Sequence, residues 1–166
     1  MSTALPVDAL AWCTFRVAGG DYGVALARVQ EVLRPLPVTR LPLGPPAIAG
    51  LINLRGRIVP VVDLRALLRP AGGPGCAGFP AAPASGGFVV VRTADGPVAL
   101  LVDAIGDVRR AESANPPASL AAPGATDADG TPLVTNTLAF PGLLLVELDL
   151  DRVLERAFTH SHRTRT

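Results

Sequence analysis

The sequence has no lysine. All 15 of its basic residues are arginine, and they balance the acidic ones to a formal net charge of +1. A chain so nearly neutral has no overall attraction to nucleic acid or to anionic lipid. The all-arginine choice fits a GC-rich coding sequence, which also favours Ala, Gly and Pro, and is not a phosphate-site signal. Aromatic residues make up only 4%: one Trp, one Tyr and five Phe, scattered. That supplies no stacking platform for single-stranded nucleic acid and leaves a core of Val, Leu, Ile and Ala. The only histidines, His160 and His162, lie in an arginine-flanked end. The body of the chain therefore offers no His-dependent triad or His-based metal centre. His160-Ser161-His162 lacks a carboxylate to orient a bound metal and reads as a solvated tail. Cys13 and Cys76 have no metal-ligand spacing and read as a small apolar strand residue and a loop residue. No run reaches the ~18 apolar residues of a membrane span. The opening MSTALPVDALAWC has no basic start followed by a long apolar run. The expected location is the cytoplasm.

What is present is apolar and strand-like. The 166 residues are 49% hydrophobic, enough for one domain or two small packed units. The organising stretch is Ile48 to Leu68. Ile48–Leu54 and Ile58–Val62 read as strands, rich in residues suited to a pleated surface. Arg55-Gly56-Arg57 is the turn between them. Asp63 then caps a short helix, Leu64–Leu68.

Before this stretch, Trp12–Val17 alternates as a strand, with Trp12, Thr14 and Arg16 on one face and Cys13, Phe15 and Val17 on the other. Gly19-Gly20-Asp21 is a turn, and Tyr22–Ala27 returns. Arg28–Leu33 fits either a helical or a strand face; a short helical turn passing into extended chain is expected, since Pro35 and Pro37 forbid a long helix. Residues 38–46, with Pro42, Pro45 and Pro46, read as a rigid extended connection. Residues 70–87 are too rich in Gly and Pro for regular structure and read as a flexible loop. Phe88–Arg92 and Val98–Asp103 form a further hairpin through Asp95-Gly96. Its return continues to Val108 with a bend or bulge at Gly106. Residues 109–129 read as a long loop with room for one short helix. The strands Leu133–Leu138 and Gly142–Glu147 follow, and Asp149 caps a last helix, Leu150–Phe158. Strand-Asp-Leu occurs at both Asp63 and Asp149, so each half ends in a capped helix. Short strands joined by hairpins suggest two small β-barrels rather than a parallel sheet. The organisation expected is a flexible leader (1–10), one domain (11–158) and a disordered tail (159–166). Within the domain, one unit spans about 18–69, and the other spans about 88–158 with the strand 11–17.

Catalytic signals are weak. Gly73, Gly75 and Gly78 match G-x-G-x-x-G in form, but a helix precedes them and proline-rich chain follows, the wrong frame for a dinucleotide. Asp63, Asp103, Asp107, Glu147 and Asp149 sit mostly at strand ends, where turns and caps account for them. No nucleophile and base stand together. Glu31 and Arg55 differ: opposite charges in segments otherwise written for burial. They read either as a pair or as two separate surface charges. If fully buried, losing one partner would cost about 3–5 kcal/mol.

These residues carry a resemblance. Tyr22-Gly23-Val24, Val29-Gln30-Glu31-Val32 and the run from Pro46 through Asn53-Leu54-Arg55-Gly56 and Pro60-Val61-Val62-Asp63-Leu64-Arg65 are similar to the CheW family of chemotaxis coupling proteins. Val98 to Val108, with Val102 and Asp103, resembles that family's second signature. The likeness covers about residues 12–157. It implies a mostly β fold of two packed SH3-like five-stranded barrels with short helices, no catalysis and no cofactor. It implies a cytoplasmic adaptor recruited to membrane-associated receptor arrays. This adaptor is monomeric on its own and neither binds nucleic acid nor inserts into a membrane. Its implied partners are the regulatory domain of a CheA-type histidine kinase and a chemoreceptor's helical cytoplasmic tip, in a flagellar or a pilus-type pathway. By position, the resemblance assigns partner binding to Val29, Glu31, Val32, Asn53, Leu54, Arg55, Asp63, Val102 and Asp103, with Glu31 and Arg55 as an interacting charged pair.

Overall fold

The fold is mostly β, and its two sheets are not consecutive halves of the chain. The computed structural model describes residues 11–68, 86–111, 118–120 and 132–159. The strands are β1 (Ala11–Val17), β2 (Gly20–Ala25), β3 (Val29–Leu33), β4 (Ile48–Leu54), β5 (Arg57–Asp63), β6 (Gly87–Thr93), β7 (Gly96–Val102), β8 (Ala104–Arg110), β9 (Ala118–Leu120), β10 (Val134–Phe140) and β11 (Leu143–Leu148). Two helices, α1 (Leu64–Leu68) and α2 (Leu150–Thr159), follow β5 and β11. The first sheet has the order β8-β1-β2-β11-β10-β9 and the second β3-β6-β7-β5-β4. Each is antiparallel except for one parallel pair, β11 with β2 and β5 with β7.

The central hairpin forms as its sequence dictates. Its two-residue loop has Arg55 at φ 51° and Gly56 at φ 83°, the doubly left-handed turn whose twist matches that of the flanking strands. The first hairpin closes the same way at Ala18 and Gly19, φ 49° and 84°, one residue before the expected Gly19–Asp21. Both helices start from the expected aspartates. Asp63 Oδ1 accepts the Arg65 amide at 2.9 Å, and Asp149 Oδ1 accepts that of Arg152 at 3.2 Å.

Other expectations shift. The helical turn lies at Leu26–Arg28, and Val29–Leu33 is all strand. The division at the Gly/Pro-rich stretch is not the division between sheets: β6 and β7 pair with β3 and β5, while β2 stays with β1. The first sheet has six strands rather than five, and both ladders run as open orders. Within 109–129, the described residues continue β8 to Arg110 and add the strand β9, with no helix. The bulge at Gly106 is present. Phe15 pairs with Ile105 but Cys13 with Val108, so two residues oppose Thr14, whose Oγ1 donates to Asp107 O at 2.6 Å. The stretch 70–85 and the tail beyond Thr159 lie outside the described residues.

Three apolar clusters hold this together. The largest lies between the sheets and joins Phe15, Val17 and Val24 of the first to Val89, Leu100 and Val102 of the second, with Leu64 of α1 and Val153 of α2. Cys13 belongs to it, and burial raises its thiol pKa. A second cluster (Ile52, Val59, Val61, Phe88, Val90, Ala99) occupies the other face of the second sheet. The alternation Phe88/Val89/Val90/Val91 shows why: successive side chains point to opposite faces, and here both are buried. A third cluster, Trp12, Leu138 and Leu145, lies on the far face of the first sheet. The Trp12 indole N–H donates to Glu147 Oε1 at 2.7 Å, and its ring meets Phe140 edge-on at 5.8 Å. Truncating Phe15 to alanine is expected to cost about 3–5 kcal/mol. Leu144→Ala, at a position 61% exposed, is expected to cost under about 0.5 kcal/mol. Urea unfolding of the two variants checks both.

Candidate functional site

Glu31 and Arg55 meet. The Arg55 Nη2–H donates to Glu31 Oε2 at 3.1 Å, which joins β3 to the β4–β5 turn across the second sheet's open side. Glu31 is mostly covered, its side chain 19% exposed, whereas the Arg55 side chain is 81% exposed. Arg55 therefore sits in the turn rather than in a buried strand, and the cost of a fully buried pair does not apply. A solvent-facing pair is worth about 0.2–1 kcal/mol. Arg55 holds a left-handed backbone that non-glycine residues seldom adopt. Asn53 braces the turn by accepting the Gly56 amide on Oδ1 at 2.8 Å.

Beside this pair two edge strands face each other. Val29 pairs with Val91 and Val32 with Val89, with Gln30 bulged out between Val29 and Glu31. The bulge puts Val29 and Val32 on the same side, the face that Val89 and Val91 bury between the sheets. Val32, at the open edge, is 41% exposed. On the first sheet's edge, Ile105 and Val108 pair with Phe15 and Cys13 and so point to the inter-sheet face. Val108 is 47% exposed. The two edges converge at Gly87, where a Cβ would collide with Leu33 O and with Ile105 Cδ1. The arrangement is an apolar margin of the inter-sheet core, open to solvent, with the Glu31–Arg55 pair on the other face of the same edge strand. It contains no nucleophile or base. Among the described residues no group of His, Cys, Asp and Glu could hold a metal.

The remaining expected residues lie elsewhere in the two sheets. Leu54 and Val102 are buried, in the second and first clusters respectively. Asp103 is the single residue between β7 and β8. Its amide donates to Arg16 O at 2.9 Å, and its Oδ2 accepts the Ala18 amide at 2.8 Å. Its Oδ1 takes the Arg65 guanidinium. Arg65 stands on α1 next to Asp63, whose carboxyl pKa is raised above 3.8, chiefly by burial, against the lowering effect of Arg65. Arg65 and Asp103 thus latch the two sheets at the strand that crosses between them, with Asp63 fixing the start of the helix that carries Arg65. Sequence reasoning did not single out Arg65, Gly87, Ile105 or Val108 for this site. The alternation of β8 across its bulge was the signal for the last two.

A family model described as a CheW-like domain matches residues 11–158. A probable chemotaxis protein CheW of Rhizobium etli is 33% identical over 95 residues, which cover 57% of this chain and 56% of that protein. The chemotaxis protein CheW of Bacillus subtilis is 41% identical over 51 residues, 31% of this chain and 33% of its own. The chain thus spans about half the length of the first of these relatives and a third of the second. Among solved structures, the scaffolding protein TtCheW of Thermoanaerobacter tengcongensis superposes with a TM-score of 0.66 over 90% of both chains, at 24% identity. That likeness is one of fold.

Two outcomes follow for the site itself. Glu31→Gln and Arg55→Gln are each expected to cost less than about 1 kcal/mol of stability, with non-additive effects in the double mutant that fade in high salt. For Asp63 the folded-state pKa lies above the unfolded one, so the native protein binds more protons and its stability falls as pH rises upward from 3.8. Asp63→Asn keeps a capping side chain but loses that titration. Its stability relative to wild type is expected to rise with pH across that window and then level off, as measured by denaturant titration at a series of pH values.

Proposed function

The chain belongs to the family of CheW-like domains, and from that premise we propose that it is a non-catalytic adaptor that couples chemoreceptors to a CheA-type histidine kinase. The observation that carries this reading is the margin formed by Val29 and Val32 on β3 and Ile105 and Val108 on β8. It is a groove of two apolar edges, suited to an amphipathic helix laid against it. A receptor's cytoplasmic tip is a helical hairpin that presents such a face. The Glu31–Arg55 pair sits on the same edge strand, on the face opposite Val32, and its exposed guanidinium offers a charge that a bound partner can recruit. Each apolar anchor buried there contributes about 1.5–3 kcal/mol, so a few are enough for moderate affinity.

The same premise supports a finer picture of the fold as two SH3-like barrels. The second sheet's outer cluster is closed off by Leu33, Leu36 and Val38 on the segment that leaves β3. The bridge of Thr39 with Leu51 then carries that segment onto β4. In this picture the kinase's regulatory domain docks on a barrel surface apart from the inter-sheet margin. The adaptor works in the cytoplasm, at receptor arrays. No described helix is long and apolar enough to cross a membrane.

The test uses the purified chain, the regulatory domain of a CheA-type kinase and a soluble receptor-tip fragment. Val32→Asp and Val108→Asp are expected to weaken binding of the receptor fragment about tenfold or more, with kinase-domain binding and melting temperature unchanged. Arg55→Ala and Glu31→Ala are expected to impair kinase activation in reconstituted arrays by more than their small stability effects account for. Failure of the unmodified chain to bind both the receptor fragment and the kinase domain refutes the adaptor reading.

A further inference from the structure

A second groove opens at the other end of the inter-sheet layer, away from Val32 and Ile105. Its floor is the start of β5, with Ile58 and Pro60. One wall is the β6–β7 turn, from Thr93 to Val98, and the other is α2, with Leu154 and Phe158. The cavity is about 680 Å³. Ile58 is 64% exposed and Phe158 43% exposed, so two large apolar side chains face solvent across it.

The backbone decides what can enter. β5 bonds to β4 on one side and to β7 on the other, and β7 also bonds to β6. β5 joins β7 only from Val61 to Asp63, so on that side the floor leaves unpaired just the short run Arg57–Pro60, and neither Pro60 nor Pro97 has an N–H to give; an extended peptide entering here would leave most of its amides and carbonyls without partners. A helix satisfies its own backbone and needs only apolar contact. The length is suitable too: α2, which forms one wall, has ten residues, about 15 Å of helix.

The charge of the rim decides the chemistry of the helix. Asp95 stands on the turn and Glu155 on α2, on opposite walls, and neither carboxylate makes an ion pair among the described residues. Asp151 is already engaged by Arg28 at 2.9 Å. Among the described residues, the one cation lining the groove is Arg57. Two unengaged carboxylates against one guanidinium leave the rim acidic.

We propose that this groove is a docking site for an amphipathic helix of a partner protein, with an apolar ridge that covers Ile58 and Phe158 and basic side chains that face Asp95 and Glu155. It is separate from the β3–β8 margin, and the two can be occupied together.

The experiment uses the full chain, isotopically labelled for NMR, and two synthetic helical peptides with one leucine ridge. One peptide has lysine and the other glutamate at the margins of the ridge. The lysine peptide is expected to shift the Ile58 and Leu154 methyl signals and the Phe158 ring signals, and the glutamate peptide to bind at least about tenfold more weakly. Ile58→Asp and Phe158→Asp, both at exposed positions, are each expected to weaken the lysine peptide about tenfold or more without lowering the melting temperature. Asp95→Asn combined with Glu155→Gln is expected to remove the preference for lysine. Equal binding of the two peptides overturns the proposal, and so does binding insensitive to Ile58→Asp. Shifts confined to Val32, Ile105 and Val108 overturn it as well. Ile58→Asp is expected to leave receptor-tip binding at the β3–β8 margin intact, so this groove and the adaptor reading can fail independently.

Discussion

The architecture depends on one short crossing. β7 is central to the second sheet and β8 is an edge of the first, and Asp103 alone separates them. A strand that changes sheets must bend sharply, and the bend would leave polar groups short of partners unless something met them. Asp103 meets them in three directions: its amide to Arg16, one carboxylate oxygen to Ala18 and the other to Arg65. The first two are in the first sheet's opening hairpin, and Arg65 is on the helix that closes the second sheet's central hairpin. The spacing of the sheets, and with it the approach of Ile105 to the end of β3 at Gly87, follows from this latch. Side chains well away from a partner can therefore govern how the partner fits.

The margin shows how the chain combines order with access. The faces that build the shared core run outward along β3 and β8 until they reach open edges, so the apolar side chains that stabilise the fold continue onto a solvent-facing surface. The bulges at Gln30 and near Gly106 keep the outermost side chains, Val32 and Val108, on that inner face. Edge strands usually invite association by backbone pairing. Here the bulges interrupt the regular ladder, so what these edges present to solvent is chiefly side chains.

Much of this was legible in the chain. The central hairpin and both helix caps were written plainly, because Asp63 and Asp149 are short-range signals followed by helix-forming residues. The bulge at Gly106 was legible for a similar reason. The pairing of Glu31 with Arg55 was suggested by two charges in apolar company, but their exposure was not. Arg55 was expected in the turn, but the apolar strands on either side hid how far the two-residue loop carries its side chain into solvent. Sheet membership was hidden. Nothing local in β6 and β7 says that they pair with strands before the Gly/Pro-rich stretch rather than after it. That choice is made by long-range packing of Val89, Leu100 and Phe15 in one core. The strand pattern of β3 was ambiguous because a bulge mixes periods of two and three, which looks like a helix.

The interleaving of the strands has a consequence for synthesis. A chain leaving the ribosome completes the second sheet once Val102 has emerged, so β3 to β7 can pair while later residues are still being made. The first sheet must wait. β1 and β2 are made before the other described strands, yet their neighbours β8 and β11 come much later, and β11 ends only at Leu148. During that interval Trp12, Phe15 and Val17 have no completed sheet to cover them. Such an early hairpin is a nascent-chain hazard, because distant pairings form slowly and exposed apolar strands aggregate. The earliest of the described strands are thus the last to be sheltered, and chaperone attention during translation is best directed at the β1–β2 hairpin.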